Sequence, residues 1–97
     1  MSTQVIVSFI AKEGSVDSLQ NRLTDIVANH TSTFKGYISA VVHRDQANPN
    51  RIVIMEAWES PEDFRAYMGS YSDEQKAEMG ENLQEPPDIK ILDINLN

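Results

Sequence analysis

One segment near the start of the chain sets the tightest condition on its fold. Val5-Ile6-Val7-Ser8-Phe9-Ile10 is β-branched or apolar at almost every position, which is the composition of a strand. Successive side chains of a strand point to opposite faces. Val5, Val7 and Phe9 therefore share one face, and Ile6, Ser8 and Ile10 share the other. Both faces are largely apolar, so the strand needs cover on two sides. One layer of helices supplies cover on one side only, and the other is expected from a partner subunit. Size points the same way. The chain has 97 residues, one domain over residues 1–97. A domain of that size buries only roughly 60–65% of its unfolded surface, so its core is thin.

The rest of the chain reads as alternating short elements. Lys12-Glu13-Gly14 is a turn, and Ser15 is placed to cap a helix. Val16, Leu19, Leu23, Ile26, Val27 and His30 then fall on one helical stripe, with the helix ending near Ser32. A second strand is expected from Tyr37 to about Arg44. Asn48-Pro49-Asn50 marks a turn, and Arg51 to Trp58 returns as the third strand of a hairpin. Ser60-Pro61-Glu62-Asp63 opens a helix with a serine cap, a proline at the first position and an acid three residues after the cap. Phe64, Tyr67 and Met68 form its apolar face, and Gly69 stops it. Ser72-Asp73-Glu74-Gln75 is a second capping-box pattern, for a helix to about Leu83. Pro86-Pro87 ends it, and Ile89 to Leu96 is the last strand. The order is βαββαβ with one extra helix. That is the α+β ferredoxin-like plan, an antiparallel sheet with helices on one face.

Charge and composition exclude several classes of function. With 15 acidic and 8 basic residues the formal net charge is −7. Such a chain is repelled by phosphate backbones and by anionic membrane surfaces. Neither nucleic acid nor membrane is expected as a partner. There is no cysteine, hence no disulfide, thiolate nucleophile or thiolate metal site. His30 and His43 lie far apart, and no His-x-x-x-His or calcium-loop spacing occurs, so no metal is expected. No glycine-rich phosphate loop is present. Met1-Ser2-Thr3-Gln4 lacks the basic region of a signal peptide, and the apolar run from Val5 to Ala11 is too short to span a bilayer. A cytoplasmic location is expected.

The stretch that can carry chemistry is Arg51-Ile52-Val53-Ile54-Met55-Glu56-Ala57-Trp58-Glu59-Ser60. Ile52, Ile54, Glu56 and Trp58 share a face. A carboxylate on an apolar face, two residues from the only tryptophan, has two readings. In one, Glu56 pairs with Arg44 or Arg51, because buried acids are usually paired, and Trp58 is plain core. In the other, Glu56 is a desolvated acid of raised pKa that takes a proton from a bound phenol. His43, near the end of the second strand, is a further candidate base.

These residues, read in order, resemble the antibiotic-biosynthesis monooxygenase family. The resemblance rests on Phe34-Lys35-Gly36-Tyr37, His43-Arg44-Asp45, Asn48-Pro49-Asn50-Arg51 and Glu56-Ala57-Trp58-Glu59-Ser60, and it covers nearly the whole chain. It implies a dimeric α+β barrel in which two sheets pack face to face and each subunit keeps a pocket between its sheet and its helices. Many relatives carry a histidine nine residues after the tryptophan, where this chain has Tyr67. With an ordinary pKa near ~10, a tyrosine is a poor base at neutral pH. A heme-degrading branch of the same superfamily resembles an Asn-Trp-His set. Here Val7 and Tyr67 replace its asparagine and histidine, which disfavours heme breakdown.

The resemblance implies a monooxygenase that works without a cofactor on a small aromatic substrate (a hydroquinone, phenol or anthrone) and dioxygen. Trp58, Phe9, Val7 and Phe64 would wall its pocket. Tyr67 would orient a substrate oxygen, and Glu56 or His43 would accept the proton. The alternative is a non-oxygenase use of the same pocket, as an isomerase, a lyase or a binding protein. A homodimer is expected through the face bearing Ile6, Ser8, Ile10, Val53 and Met55, with the last strand a candidate for exchange between subunits.

Overall fold

A computed structural model describes residues 2–93. It contains the expected plan: β1 (Thr3–Ile10), α1 (Val16–Asn29), β2 (Tyr37–Arg44), β3 (Arg51–Trp58), α2 (Pro61–Met68), α3 (Asp73–Gly80) and β4 (Asp88–Asp93). The four strands form one antiparallel sheet in the order β2-β3-β1-β4. The central strands are those richest in β-branched and apolar residues, since a central strand has neighbours on both edges to pack against. Among the described residues no helix is long and apolar enough to cross a membrane.

Burial along β1 follows the alternation of its side chains. Thr3, Val5, Val7 and Phe9 are buried under the helices, while Gln4, Ile6, Ser8 and Ile10 are only partly covered. β3 buries Ile52, Ile54, Glu56 and Trp58 on the helix side, and Val53 on the other face is buried as well. The core is built from these residues with Leu19 and Leu23 of α1, Phe64 and Tyr67 of α2, and Leu83. Each large apolar side chain fully buried there contributes roughly 1.5–3 kcal/mol. On the other face Val41 and Met55 remain about half exposed, at 54% and 44%. They stand directly opposite each other in the β2–β3 ladder, and Ile6 faces Met55 in the β1–β3 ladder. Three apolar side chains thus cross the sheet as one ridge.

Local signals explain the element ends. The Ser60 hydroxyl accepts from the Asp63 amide at 3.1 Å, and Pro61 starts α2. At α3 the full reciprocal box is present: Ser72 accepts from the Gln75 backbone and the Gln75 side chain accepts from the Ser72 amide. Ser15 departs from expectation. It stands at the start of α1, but its side chain makes no capping bond; its amide closes the preceding turn on the Lys12 carbonyl instead. α1 stops at Asn29, and Thr31–Thr33 form a separate 3-10 turn, because Ser32 and Thr33 hydroxyls bond back to the carbonyls of Ala28 and His30. α3 ends at Gly80 rather than Leu83 and has no buried residue. Leu83 lies beyond it, buried, and bridges to Ala11. β4 is observed to Asp93; the expected extension to Leu96, and with it any exchange of that end between subunits, falls outside the described residues.

Gly36 fixes the entry to β2. Its φ is +86°, and a Cβ built there would fall on the carboxylate of Asp63. Only glycine meets both conditions. Its carbonyl accepts from the Glu59 amide at 2.8 Å, which ties the start of β2 to the end of β3. The hairpin's other end is held by Asp45, which accepts from the Ala47 amide and from Arg51. Those bonds hold the Asp45 carboxyl below its ordinary pKa.

Candidate functional site

A cavity of about 510 Å³ opens between the sheet, α1, the end of α2 and α3. Ligand pockets of ~300–1,000 Å³ hold drug-sized molecules, so this one has room for a small fused aromatic system. Val7, Phe9, Ile54 and Glu56 form its floor; Leu23, Ile26 and Val27 of α1 form one wall. Tyr67, Met68 and Tyr71 close the inner end beside His30 and Thr31, and Lys76, Met79 and Leu83 lie toward α3. The floor is apolar because strand alternation puts Val7, Phe9 and Ile54 on the helix side; Glu56 shares that side for the same reason.

Glu56 is 3% exposed and has no basic partner among the described residues. Arg51 is bound to Asp45 and Ser8, and Arg44 to Asp17 and Gln20. The expected pairing with either arginine is thereby corrected. Arg51 and Glu56 stand on opposite faces of β3, and Arg44 reaches toward α1. Instead Glu56 Oε1 accepts from the indole Nε1 of Trp58 at 2.8 Å. Among the described residues Oε2 has no donor and no buried side-chain oxygen lacks a partner, so Oε2 meets the open space of the cavity. Desolvation raises the Glu56 pKa, opposed by the indole bond. The result is a carboxyl group held in orientation at one oxygen and offered to the cavity at the other.

A second cluster lies at the inner end. Thr31 Oγ1 and Tyr67 Oη are 2.7 Å apart, and Tyr67 Oη and Tyr71 Oη are 2.6 Å apart. Tyr67 stacks on Trp58 with centroids at 5.2 Å and planes at 26°. His30 packs edge-on against Phe34 and Tyr71 and bonds Ser70 through Nε2. Burial pushes the Tyr67 phenol far above its ordinary pKa, and Tyr71 also moves up, again chiefly through burial. Both therefore stay neutral across the physiological range and act as hydrogen-bonding groups rather than bases.

The structure brings together most of the residues singled out by sequence. Val7, Phe9, Glu56 and Tyr67 line the cavity. Trp58 and Phe64 are buried behind it, ring centroids 6.0 Å apart, and support the lining without forming it. His43 is not brought to the site. It pairs with Val53 on the opposite face of the sheet, is exposed, and bonds the Val41 carbonyl. Strand parity decides this, because Val42 and Arg44 take the helix side and His43 the other. Thr31, Tyr71 and the pocket-facing role of His30 were not anticipated. The only available signal was the four-residue spacing of Tyr67 and Tyr71, masked by Gly69 between them. Among the described residues no group of three His, Asp or Glu side chains could hold a metal ion.

Comparison with known proteins adds an independent line. Residues 2–79 match the model of the antibiotic biosynthesis monooxygenase family. No curated protein matches the sequence. Among solved structures, Rv0793 from Mycobacterium tuberculosis superposes with a TM-score of 0.81 at 19% identity, covering 100% of this chain and 98% of that one. A conserved protein from Methanosarcina mazei Go1 gives 0.77 at 21% identity, covering 94% and 90%. A protein described as an antibiotic biosynthesis monooxygenase gives 0.79 at 13% identity, covering 97% and 99%. At these identities the structural likenesses speak for the fold.

Proposed function

The chain belongs to the antibiotic biosynthesis monooxygenase family, and on that footing we propose that its cavity oxidises a small aromatic substrate with dioxygen, without metal or organic cofactor. The substrate class is a hydroquinone, a phenol or an anthrone in its phenolic form. One observation carries the reading: Glu56 is buried, anchored by Trp58, and turns its second oxygen into the cavity beside the apolar floor of Val7, Phe9 and Ile54.

The chemistry asks little of the protein. Ionised Glu56 takes the proton of the substrate hydroxyl at Oε2, and a carboxylate of raised pKa is the stronger base for that task. The resulting anion is electron-rich, and the dry cavity withholds the water that would stabilise it. It passes one electron to dioxygen, and the two radicals combine to a peroxide at the ring carbon. The proton held on Glu56 returns to the peroxide. In an anthrone, loss of water then leaves a carbonyl, so one oxygen atom stays in the product and the other departs as water. Oxygen uptake by the purified protein on a panel of hydroquinones and anthrones tests the reading. Uptake abolished by Glu56→Gln supports it, and no uptake with any member overturns it.

One observation favours a second reading. Tyr67, at the position where many relatives have a histidine, has its hydroxyl engaged by Thr31 and Tyr71. A site with Glu56 as the base on its floor could equally move a proton within a small metabolite. Turnover that persists without oxygen would select that reading.

We further propose that the ridge of Ile6, Val41 and Met55, with Ser8, Ile10 and Val53 around it, is the interface of a homodimer. The support is the exposure of Val41 and Met55 side by side on a sheet face that carries no helix among the described residues. A monomeric mass at micromolar concentration would refute it.

A further inference from the structure

The hydroxyls at the inner end of the cavity form a chain whose direction can be worked out. Three hydroxyl groups hold three protons, and the two bonds between them use two. The Thr31 residue is 1% exposed, and among the described residues its hydroxyl has one partner, Tyr67. Were Tyr67 to donate to Thr31, the Thr31 proton would be left buried without an acceptor, which folded proteins avoid. Thr31 therefore donates to Tyr67, and Tyr67 donates to Tyr71. The third proton sits on Tyr71, whose hydroxyl has no acceptor of its own among the described residues. Tyr71 is half-buried, lines the cavity, and has its ring wedged against His30 at 5.3 Å and Tyr67 at 5.4 Å.

We propose that Tyr71, rather than Tyr67, is the hydrogen-bond donor that orients the substrate, and that the site selects aromatic molecules carrying a hydroxyl for Glu56 and a second oxygen, a carbonyl or another hydroxyl, that accepts from Tyr71. Hydroquinones and hydroxyanthrones belong to that class, whereas simple phenols and unsubstituted quinones satisfy only one of the two groups. Thr31 and Tyr67 are positioning residues that set the direction of the chain. This assignment rests on the cavity being the substrate site, as proposed above, and deepens that reading.

The test is binding, which separates it from oxygen chemistry. The full chain is titrated with 2-hydroxyanthraquinone, which bears hydroxyl and carbonyl groups, and with 2-hydroxyanthracene, which lacks the carbonyls. The wild type is expected to bind the first more tightly. Tyr71→Phe should weaken 2-hydroxyanthraquinone on the order of tenfold, the worth of one lost hydrogen bond, and leave 2-hydroxyanthracene within about twofold. Thr31→Val should produce the same selective loss and Thr31→Ser should restore it, which mere packing would not do. The proposal is overturned if the wild type shows no preference, if Tyr71→Phe weakens both probes equally or neither, or if Thr31→Val keeps the wild-type preference. Should Thr31→Val fail to fold, Tyr71→Phe alone decides. Oxygen uptake on hydroquinones can fail while this selectivity holds, and the reverse, so the two readings fall separately.

Discussion

The two faces of the β1–β3 ladder are made from the same short stretches of chain, yet they do different work. Toward the helices, Val5, Val7, Phe9, Ile52, Ile54 and Trp58 close over a single carboxyl group. Away from the helices, Ile6, Met55 and the neighbouring Val41 stay accessible, and the charged groups are held in exposed or half-exposed pairs such as Arg51 with Asp45. One face buries its polar group and leaves room beside it; the other exposes its apolar groups. Neighbouring positions on one strand therefore meet different surroundings and can change independently, because a strand sends them in opposite directions.

The sharpest way to break this division is Glu56→Gln, which keeps shape but removes the base. Turnover should fall by ~10²–10⁴-fold, the usual worth of a positioned general base, with the solution mass unchanged. Met55→Asp, one residue away, should do the reverse. If the ridge is the homodimer interface proposed above, a charge on it should give a monomeric mass by light scattering, while ligand binding in the cavity persists. If Met55→Asp leaves the mass unchanged, the outer face is not the interface.

Trp58→Phe probes the link between core and site. It removes the donor to Glu56 Oε1, and a buried acceptor left unpaired costs about 1–3 kcal/mol, to be read as a loss in chemical denaturation. A smaller effect comes from pH. Burial raises the folded-state pKa of Glu56, so its protonated form favours folding. That contribution is complete below the unfolded pKa of about 4.3 and is lost as pH rises through the raised folded value. Wild type and Glu56→Gln should thus be closest in stability near pH 4, with the variant gaining on wild type toward pH 8. Melting curves that stay parallel across that range would remove desolvation as the governing influence on Glu56. The smallest effect is expected at His43. His43→Ala should change turnover by less than about twofold, since surface substitutions away from the site rarely matter. A large loss would place the outer face in the chemistry after all.

Much of this arrangement was legible beforehand, because it follows from short-range rules. Alternation placed Glu56 with Ile54 and Trp58, and capping patterns located α2 and α3. What escaped depended on where chain segments meet. Charge alone points the Glu56 carboxylate toward an arginine. The indole two residues away won because it lies on the same side of the same strand, whereas Arg51 lies on the other. His43 was admitted on residue type, and parity excluded it. Thr31 and Tyr71 sit just past helix ends, where periodicity no longer tells which way a side chain points. Thr31 reaches Tyr67 from the 3-10 turn across a separation of 36 residues, and Tyr71 reaches it from the loop just past α2. Ser15 shows the same limit at smaller scale, for it has the right residue type at the right position and a turn that uses its backbone instead.

Gly36 has a consequence for the history open to this chain. Its backbone angle and the Asp63 carboxylate at its α-carbon together forbid any side chain, and its carbonyl clamps Glu59 three residues beyond Glu56. Cavity walls such as Ile26 or Met68 can drift, one conservative exchange at a time, toward new ligands. Gly36 offers no such intermediate steps. Lineages descending from this sequence can diversify what they bind while inheriting that one position unaltered.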